Sequence, residues 1–271
     1  MISLGSSNWE RRCTKVEMDF KELIQNKKVA LVGPAQYLVG SGYGKEIDEH
    51  DIVVRINRGI ELVFDHTEDI GRKADILYSC LIEKPANAGK LDGQILKEKY
   101  GVKCLVTPPE STFGGISHST GFHHLVDMKT VKDISNHMSI RIVEHTFHTY
   151  LAKKISCRPN TGFLAIYDLL MQRPEKLSIY GFSFYLDGFI PGCKEGIIQE
   201  QNKNERQFAE QCFTSKRHVQ ENMWSFAKET ILNNNRVSLD PVLHKILNLE
   251  SLDRTLFAKV REDEGFYSYK A

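Results

Sequence analysis

Five short apolar runs set the tightest limit on how this chain can fold. They read "KKVALVG" at 27–33, "HDIVVRIN" at 50–57, "ADILYS" at 74–79, "VKCLVT" at 102–107 and "KLSIYGF" at 176–182. Successive side chains of a strand point to opposite faces, so a continuous apolar run rich in β-branched residues marks a strand covered on both sides, as in a parallel sheet. Stretches with helical spacing lie between and after them, at 90–100, 123–134, 161–172 and 216–232. The order predicts an α/β fold, doubly wound, with a mostly parallel central sheet and helices on both faces. At 271 residues and 41% hydrophobic content the chain can bury one substantial core. We expect a single domain over 1–271, its core at about 27–240, with a polar N-terminal segment and a C-terminal helical tail.

Charge and cysteine usage narrow the function. Lys and Arg number 36 against 35 Asp and Glu, mixed along the chain, which is not the footprint of a nucleic-acid partner. The longest apolar runs, such as "FLAIYDLLM" at 163–171, are too short for a transmembrane segment, and "MISLGSSNWERRCTKVEMDF" has no signal-peptide core, so a cytoplasmic location is expected. Cysteines at 13, 80, 104, 157, 193 and 212 never form a CxxC pair, which predicts free thiols in a reducing compartment and no structural zinc.

The glycine cluster Gly40-Ser41-Gly42-Tyr43-Gly44 invites a dinucleotide reading that its position refuses. A dinucleotide fingerprint follows its strand directly, so that the pyrophosphate meets the next helix N-terminus. Here the strand ends at Gly33, the cluster begins at Gly40, and its spacing is GxGxG. Glu61 and Asp65, at the distance of a ribose-binding acid, come only after a second strand has ended. A second stretch, Asn160-Thr161-Gly162, opens a helix that leads into a strand. Free N–H groups there suit an anion, while a plain N-cap by Asn160 or Thr161 is the simpler reading.

The histidines offer further candidates. His145 and His148 lie three apart on an expected helix and read as surface or supporting residues; His123 and His124 follow a Gly/Ser loop and could touch an acceptor; His50 reads as structural. The loop-like regions 108–122 and 185–204 are rich in Gly, Ser or Pro, and long loops in compact domains are more often functional than idle.

Taken together, three stretches resemble the L, S and short C-terminal motifs of the animal-type sialyltransferases, glycosyltransferase family 29. They are "VALVGPAQYLVGSGYGKEIDEHDIVVRINRG" at 29–59, continuing into "DIGRKADILYS"; "RPNTGFLAIYDLLMQRPEKLSIYGF" at 158–182; and "KRHVQENMW" at 216–224. The resemblance implies a Rossmann-like GT-A variant fold and an inverting, metal-independent transfer from a CMP-activated sugar donor to a glycan acceptor. The donor is a co-substrate, with sialic acid as the family default and Kdo fitting the same chemistry; no cofactor is implied. By the same resemblance Asn57 would bind the donor near its phosphate and ribose. Asn160, Thr161 and Gly162 would meet the phosphate and the sugar carboxylate, Gly181 and Phe182 would line the cytidine side, and His218 would be the general base. No Asp-x-Asp stands where a metal-dependent glycosyltransferase holds its nucleotide.

Departures from the family pattern are also present. Its Gly-Asn-Ser-Gly is Gly33-Pro34-Ala35-Gln36 here, and its Pro-Ser-Thr-Gly is Pro159-Asn160-Thr161-Gly162. The third-motif histidine after the Tyr-Gly-Phe is missing; Lys194 or Tyr185 could take its phosphate-facing role. The base histidine is followed closely by an acid, Glu221. Where the family places its bridging cysteines, this chain has Val29 and Arg173 or Pro174. A degenerate, non-catalytic carbohydrate- or nucleotide-binding module of the same fold is the competing expectation.

Overall fold

The structure, a computed structural model, describes residues 19–82, 89–109 and 128–263. Seven strands form one sheet: β1 (Lys28–Val32), β2 (Ile52–Ile56), β3 (Ile76–Tyr78), β4 (Cys104–Thr107), β5 (Ser139–Ile142), β6 (Lys176–Tyr180) and β7 (Val237–Leu239). Their order is β5-β4-β3-β2-β1-β6-β7, and all six pairings are parallel. The chain adds strands outward from β1 through β5, then returns to the other side of β1 with β6 and β7. The reversal puts the topological switch between β1 and β6, where open α/β sheets place their ligands.

The apolar runs became the strands their pattern implied. Every residue of β2, β3 and β4 is buried, so both sheet faces are covered by other elements. The two strands that no apolar run announced, β5 and β7, are the sheet edges. Their burial alternates or is partial, and "SIRI" and "VSL" carry too little apolar signal to stand out.

Helix boundaries moved by a few residues. The predicted helix at 90–100 appears as Gly93–Glu98, and that at 123–134, whose first five residues lie outside the described ones, is seen as Met128–His137. The one predicted at 216–232 starts only at Gln220, which leaves Lys216, Arg217 and His218 on the preceding loop. The region 185–204, expected as a loop, contains a short helix at Glu195–Glu200. His123, His124, Cys13 and most of the predicted 108–122 loop lie outside the described residues.

The helix Thr161–Met171 runs from the cleft down into the core, burying Phe163, Leu164, Ala165, Ile166 and Leu169. It is fastened there by Asp168, which Arg141 contacts through both guanidinium nitrogens (2.6 and 3.1 Å) and to which the Tyr78 hydroxyl donates (2.6 Å). Removing one partner of such a buried pair leaves an uncompensated charge, which typically costs about 3–5 kcal/mol. The network therefore fixes the helix against β3 and β5, and with it the position of the helix N-terminus.

Candidate active site

A cavity of about 450 Å³ opens where the C-terminal ends of β1, β2, β3, β4 and β6 meet. Pro34 and Ala35 follow β1, Asn57 and Arg58 follow β2, Cys80 and Ile82 follow β3, Pro108 follows β4, and Gly181 to Tyr185 follow β6. All seven residues singled out from the sequence, Asn57, Asn160, Thr161, Gly162, Gly181, Phe182 and His218, line this one cavity. Lys194 and Tyr185 line it too. The glycine cluster at 40–44 does not. Gly40 and Gly42 make a left-handed turn, and the Gly42 N–H is tied to Asp69 Oδ1 (3.0 Å). Gly44 has no room for a side chain because a Cβ there would sit 2.0 Å from the Thr67 carbonyl.

One wall is built from backbone. Asn160 caps the Thr161–Met171 helix, its Oδ1 accepting from Phe163 N–H (2.8 Å). The plain cap and an open helix start are thus both present: the cap consumes the third N–H and leaves those of Thr161 and Gly162 facing the cavity end. Gly162 is required by packing, since a Cβ there would lie 2.7 Å from the Phe182 ring. Gly33 and Gly181 bring β1 and β6 together so closely that a Cβ on either would meet the other's carbonyl oxygen at 2.4 and 2.5 Å. Gly181 has φ +74°, and Phe184 and Tyr185 also adopt left-handed backbone at +50° and +59°. Bulky residues in that region store strain, which the surrounding structure must over-determine.

What holds this loop comes from far along the chain. Asp240 is buried after β7; its Oδ2 accepts from the Gly181 N–H (2.9 Å) and the Tyr37 hydroxyl (2.7 Å), and its Oδ1 from the Leu243 N–H (2.7 Å). The Tyr37 oxygen in turn accepts from the Phe182 N–H (3.0 Å). Burial pushes the Asp240 carboxyl up to about 6, against the pull of these donors. Asn57 is positioned in a similar way: it sits at φ +45° just past β2, and its Oδ1 accepts from Cys80 N–H (3.0 Å), leaving its amide NH₂ for a ligand.

Another part of the lining is made of side chains. The His218 ring donates from Nδ1 to the Arg158 carbonyl (2.8 Å), while the Arg158 N–H donates to the Arg217 carbonyl (3.2 Å). That first bond fixes the neutral tautomer with Nε2 as the unprotonated nitrogen. Burial lowers the His218 pKa to about 4, and the Arg217 and Arg158 charges push in the same direction, against the Arg158 carbonyl bond, which raises it. Glu221 takes no part; it is exposed on the first turn of the next helix. The anticipated carboxylate influence on the histidine is therefore replaced by burial and cations.

Sequence reasoning overlooked Arg158 and Arg217, although both stand in the quoted motifs. Burial lowers the Arg158 pKa to about 10, with Arg217 adding to the fall, and burial also lowers that of Arg217. Lys194, 9% exposed, lies 5.5 Å from the Phe189 ring centre. Burial raises the Tyr185 hydroxyl pKa, and the hydroxyl is hydrogen-bonded to Asn160. Among the described residues no Asp or Glu lines the cavity.

The remaining histidines lie elsewhere. His145 is exposed and His148 is 5% exposed, so the helix separates them into a surface and a buried residue. Burial, then Arg158, lowers His148 to about 4, which puts it behind the cationic wall. His50 bonds through Nε2 to Ser178 Oγ (2.8 Å) and through Nδ1 to the Glu46 carbonyl (3.0 Å). Among the described residues no group of three His, Cys, Asp or Glu is arranged to hold a metal, and Cys80, Cys157 and Cys212 are free thiols. No helix of the described chain is long and apolar enough to cross a membrane.

A parallel Rossmann-like sheet with a cleft lined by arginines and a lysine at its switch point is the arrangement of an enzyme that handles an anionic nucleotide-linked substrate. Residues 14–188 match glycosyltransferase family 29 (sialyltransferase), and the chain belongs to that family. Solved sialyltransferases share its fold, a Rossmann-like GT-A variant. The Campylobacter jejuni sialyltransferase CstII, solved with CMP-3FNeuAc, is 14% identical, with 80% of this chain and 88% of that one covered and a TM-score of 0.50. A mammalian sialyltransferase in complex with Gal-beta-1-3GalNAc-ortho-nitrophenol is 15% identical, with 88% and 80% covered and a TM-score of 0.49. The family match includes Asn57, Asn160 to Gly162, Gly181 and Phe182, but His218 and Arg217 lie beyond its end.

Proposed function

We propose that this protein transfers a 2-keto acid sugar, sialic acid in the first instance, from CMP to a glycan hydroxyl, with inversion, without a metal, and with His218 as general base. The observation that carries this reading is the His218 clamp. A histidine held through Nδ1 on a main-chain carbonyl, and neutral at pH 7, shares one cavity with the open helix start at Thr161 and Gly162.

In the reaction the acceptor oxygen forms a bond to the anomeric carbon as the bond from that carbon to the phosphate oxygen breaks. CMP departs with the electron pair, and the acceptor proton moves to His218 Nε2. The free N–H groups and the positive end of the Thr161–Met171 helix oppose the charge of the phosphate and the sugar carboxylate. Asn57 donates near the ribose and phosphate, and Gly181 and Phe182 flank the base. Lys194 and Tyr185 are in position to face the leaving phosphate in place of the family's third-motif histidine. A low pKa makes His218 a weaker base; bound donor, bringing two negative charges among the arginines, raises it toward the working range. That CstII binds a CMP-sialic acid analogue supports the choice of donor. The free thiols of Cys80, Cys157 and Cys212 fit a reducing, cytoplasmic compartment.

One observation favours a non-catalytic module instead: Pro34 and Ala35 present no polar side chain to the cavity. Incubation with CMP-Neu5Ac or CMP-Kdo, with and without EDTA and a glycan panel, separates the readings. CMP release that needs a glycan and survives EDTA supports transfer. CMP binding with no release from either donor supports the module, and loss of turnover on chelation overturns the metal-free mechanism.

A further inference from the structure

A buried polar atom beside the base is left without a use by the proposed function. Gln220 is 2% exposed and opens the helix Gln220–Thr230. Its Nε2 donates to the His218 main-chain carbonyl (2.6 Å), a partner that can only accept, so the amide has one orientation. The other end of the amide, Oε1, is buried and has no hydrogen-bond partner among the described residues. The side chain lines the cavity that also holds His218. Buried acceptors are normally matched, so an unmatched one on a cavity surface marks where a donor group arrives.

The surroundings of Gln220 narrow what that donor group belongs to. Its bond to the His218 carbonyl, two residues back, ties the buried acceptor to the segment that carries the base. The His218 ring is fixed in turn on the Arg158 carbonyl (2.8 Å). Met223, 0% exposed, lines the same cavity three residues further on, the spacing that puts two side chains on one helix face. A fixed hydrogen-bond acceptor beside an apolar surface suits a sugar ring, which presents hydroxyls at its edge and C–H groups on its face. The proposed function, on which this inference rests, places cytidine at Gly181 and Phe182 and the reacting hydroxyl at His218. The ligand at Gln220 is then the acceptor sugar.

We propose that Gln220 is a specificity-determining residue for the acceptor: its Oε1 accepts from the hydroxyl on the carbon next to the one that is glycosylated. A vicinal diol is thus read by two side chains, one hydroxyl at His218 and its neighbour at Gln220. The first contact serves the reaction, and the second sets which hydroxyl is presented to the base.

The test titrates methyl β-galactoside, methyl β-glucoside and methyl α-mannoside, with the monodeoxy analogues of each, by saturation-transfer NMR with and without CMP. The proteins are the native chain, Gln220→Glu and Gln220→Met, each with native circular dichroism; Gln220→Ala replaces the Met variant should that one fail to fold. Glu keeps an acceptor oxygen at this place in either protonation state, whereas Met keeps the length and removes it. In the native protein one deoxy analogue of a bound glycoside should bind about fivefold to a hundredfold more weakly than its parent, the effect of leaving a buried acceptor unmatched. Gln220→Glu should keep that preference and Gln220→Met should lose it, while penalties at the other positions stay. Equal binding of every deoxy analogue, a set of preferences that persists whole in Gln220→Met, loss in both variants alike, or no binding of any parent glycoside overturns the proposal. Failure of CMP to bind the native protein counts against the donor reading alone, because the glycoside comparison is also read without CMP.

Discussion

The two walls of the cavity are made by different means. The wall proposed for the donor consists of main-chain groups at strand and helix ends, brought close by Gly33, Gly162 and Gly181 and braced by the Tyr37–Asp240 pair. The wall that carries the proposed base, taken here as the acceptor wall, consists of Arg158, Arg217 and His218 on the segments before two helices and Gln220 at the start of the second. The family match covers the main-chain donor groups and also Arg158, and stops before Arg217, His218, Gln220 and Asp240. A backbone site for a fixed nucleotide has little freedom to vary, whereas side chains on loops can change with the acceptor.

The largest expected effect falls on the acceptor wall. His218→Ala should lower turnover roughly 100-fold to 10,000-fold, the usual range for a positioned base. Steady-state rates on a protein with native circular dichroism check this; a near-native rate would move the base elsewhere and remove the wall's main function.

The donor wall should respond in stability as well as binding. Tyr37→Phe removes the hydroxyl shared by Asp240 and Phe182, leaving buried groups unmatched at a cost of about 1–3 kcal/mol. Denaturant unfolding should show the loss, with weaker CMP binding alongside it. An unchanged midpoint and unchanged affinity would mean that the brace does not hold the loop.

The two walls also differ in the sign of their pH response. His218 is depressed to about 4 in the folded chain, so between about 4 and the ordinary 6.5 the unfolded chain binds the extra proton. Its contribution to stability is present above 6.5 and lost as pH falls toward 4. Asp240, raised to about 6 from 3.8, works oppositely: its contribution is full below the ordinary carboxylate value and lost as pH rises through about 6. The two windows overlap and oppose each other, so thermal midpoints followed from pH 8 down to 4 should fall less in His218→Gln and more steeply in Asp240→Asn. The smallest expected effect is on the rate: kcat/KM for the donor should be nearly flat through pH 6.5, because free His218 is already neutral there. A clear limb centred near 6.5 would mean that burial and the arginines do not control the base.

How much of this could be read in the sequence follows from how each part is built. The five central strands were legible because burial on both faces makes their residues uniformly apolar; the edges β5 and β7, half covered, leave no such mark. The cavity residues were legible where a motif is local, as at 160–162 and 181–182. The Tyr37–Asp240 brace joins residues 203 positions apart, and nothing near either one announces the other. Asp240 did carry a local sign, an acid before Pro241 at a helix start, but that predicts a cap and not a role at the site. His218 was expected on a helix face, and the start at Gln220 instead puts it on the loop, where its ring reaches the Arg158 carbonyl. Arg158 and Arg217 were hidden by an even overall charge, because only the fold brings them into one cavity.

The division into a donor wall and an acceptor wall is tested most directly by titrating CMP calorimetrically into Asn57→Ala, Thr161→Ala and His218→Ala. The account predicts CMP affinity weakened by about 1–3 kcal/mol in the first two and unchanged in His218→Ala. CMP binding that is intact in Asn57→Ala and Thr161→Ala, or lost in His218→Ala, would contradict it.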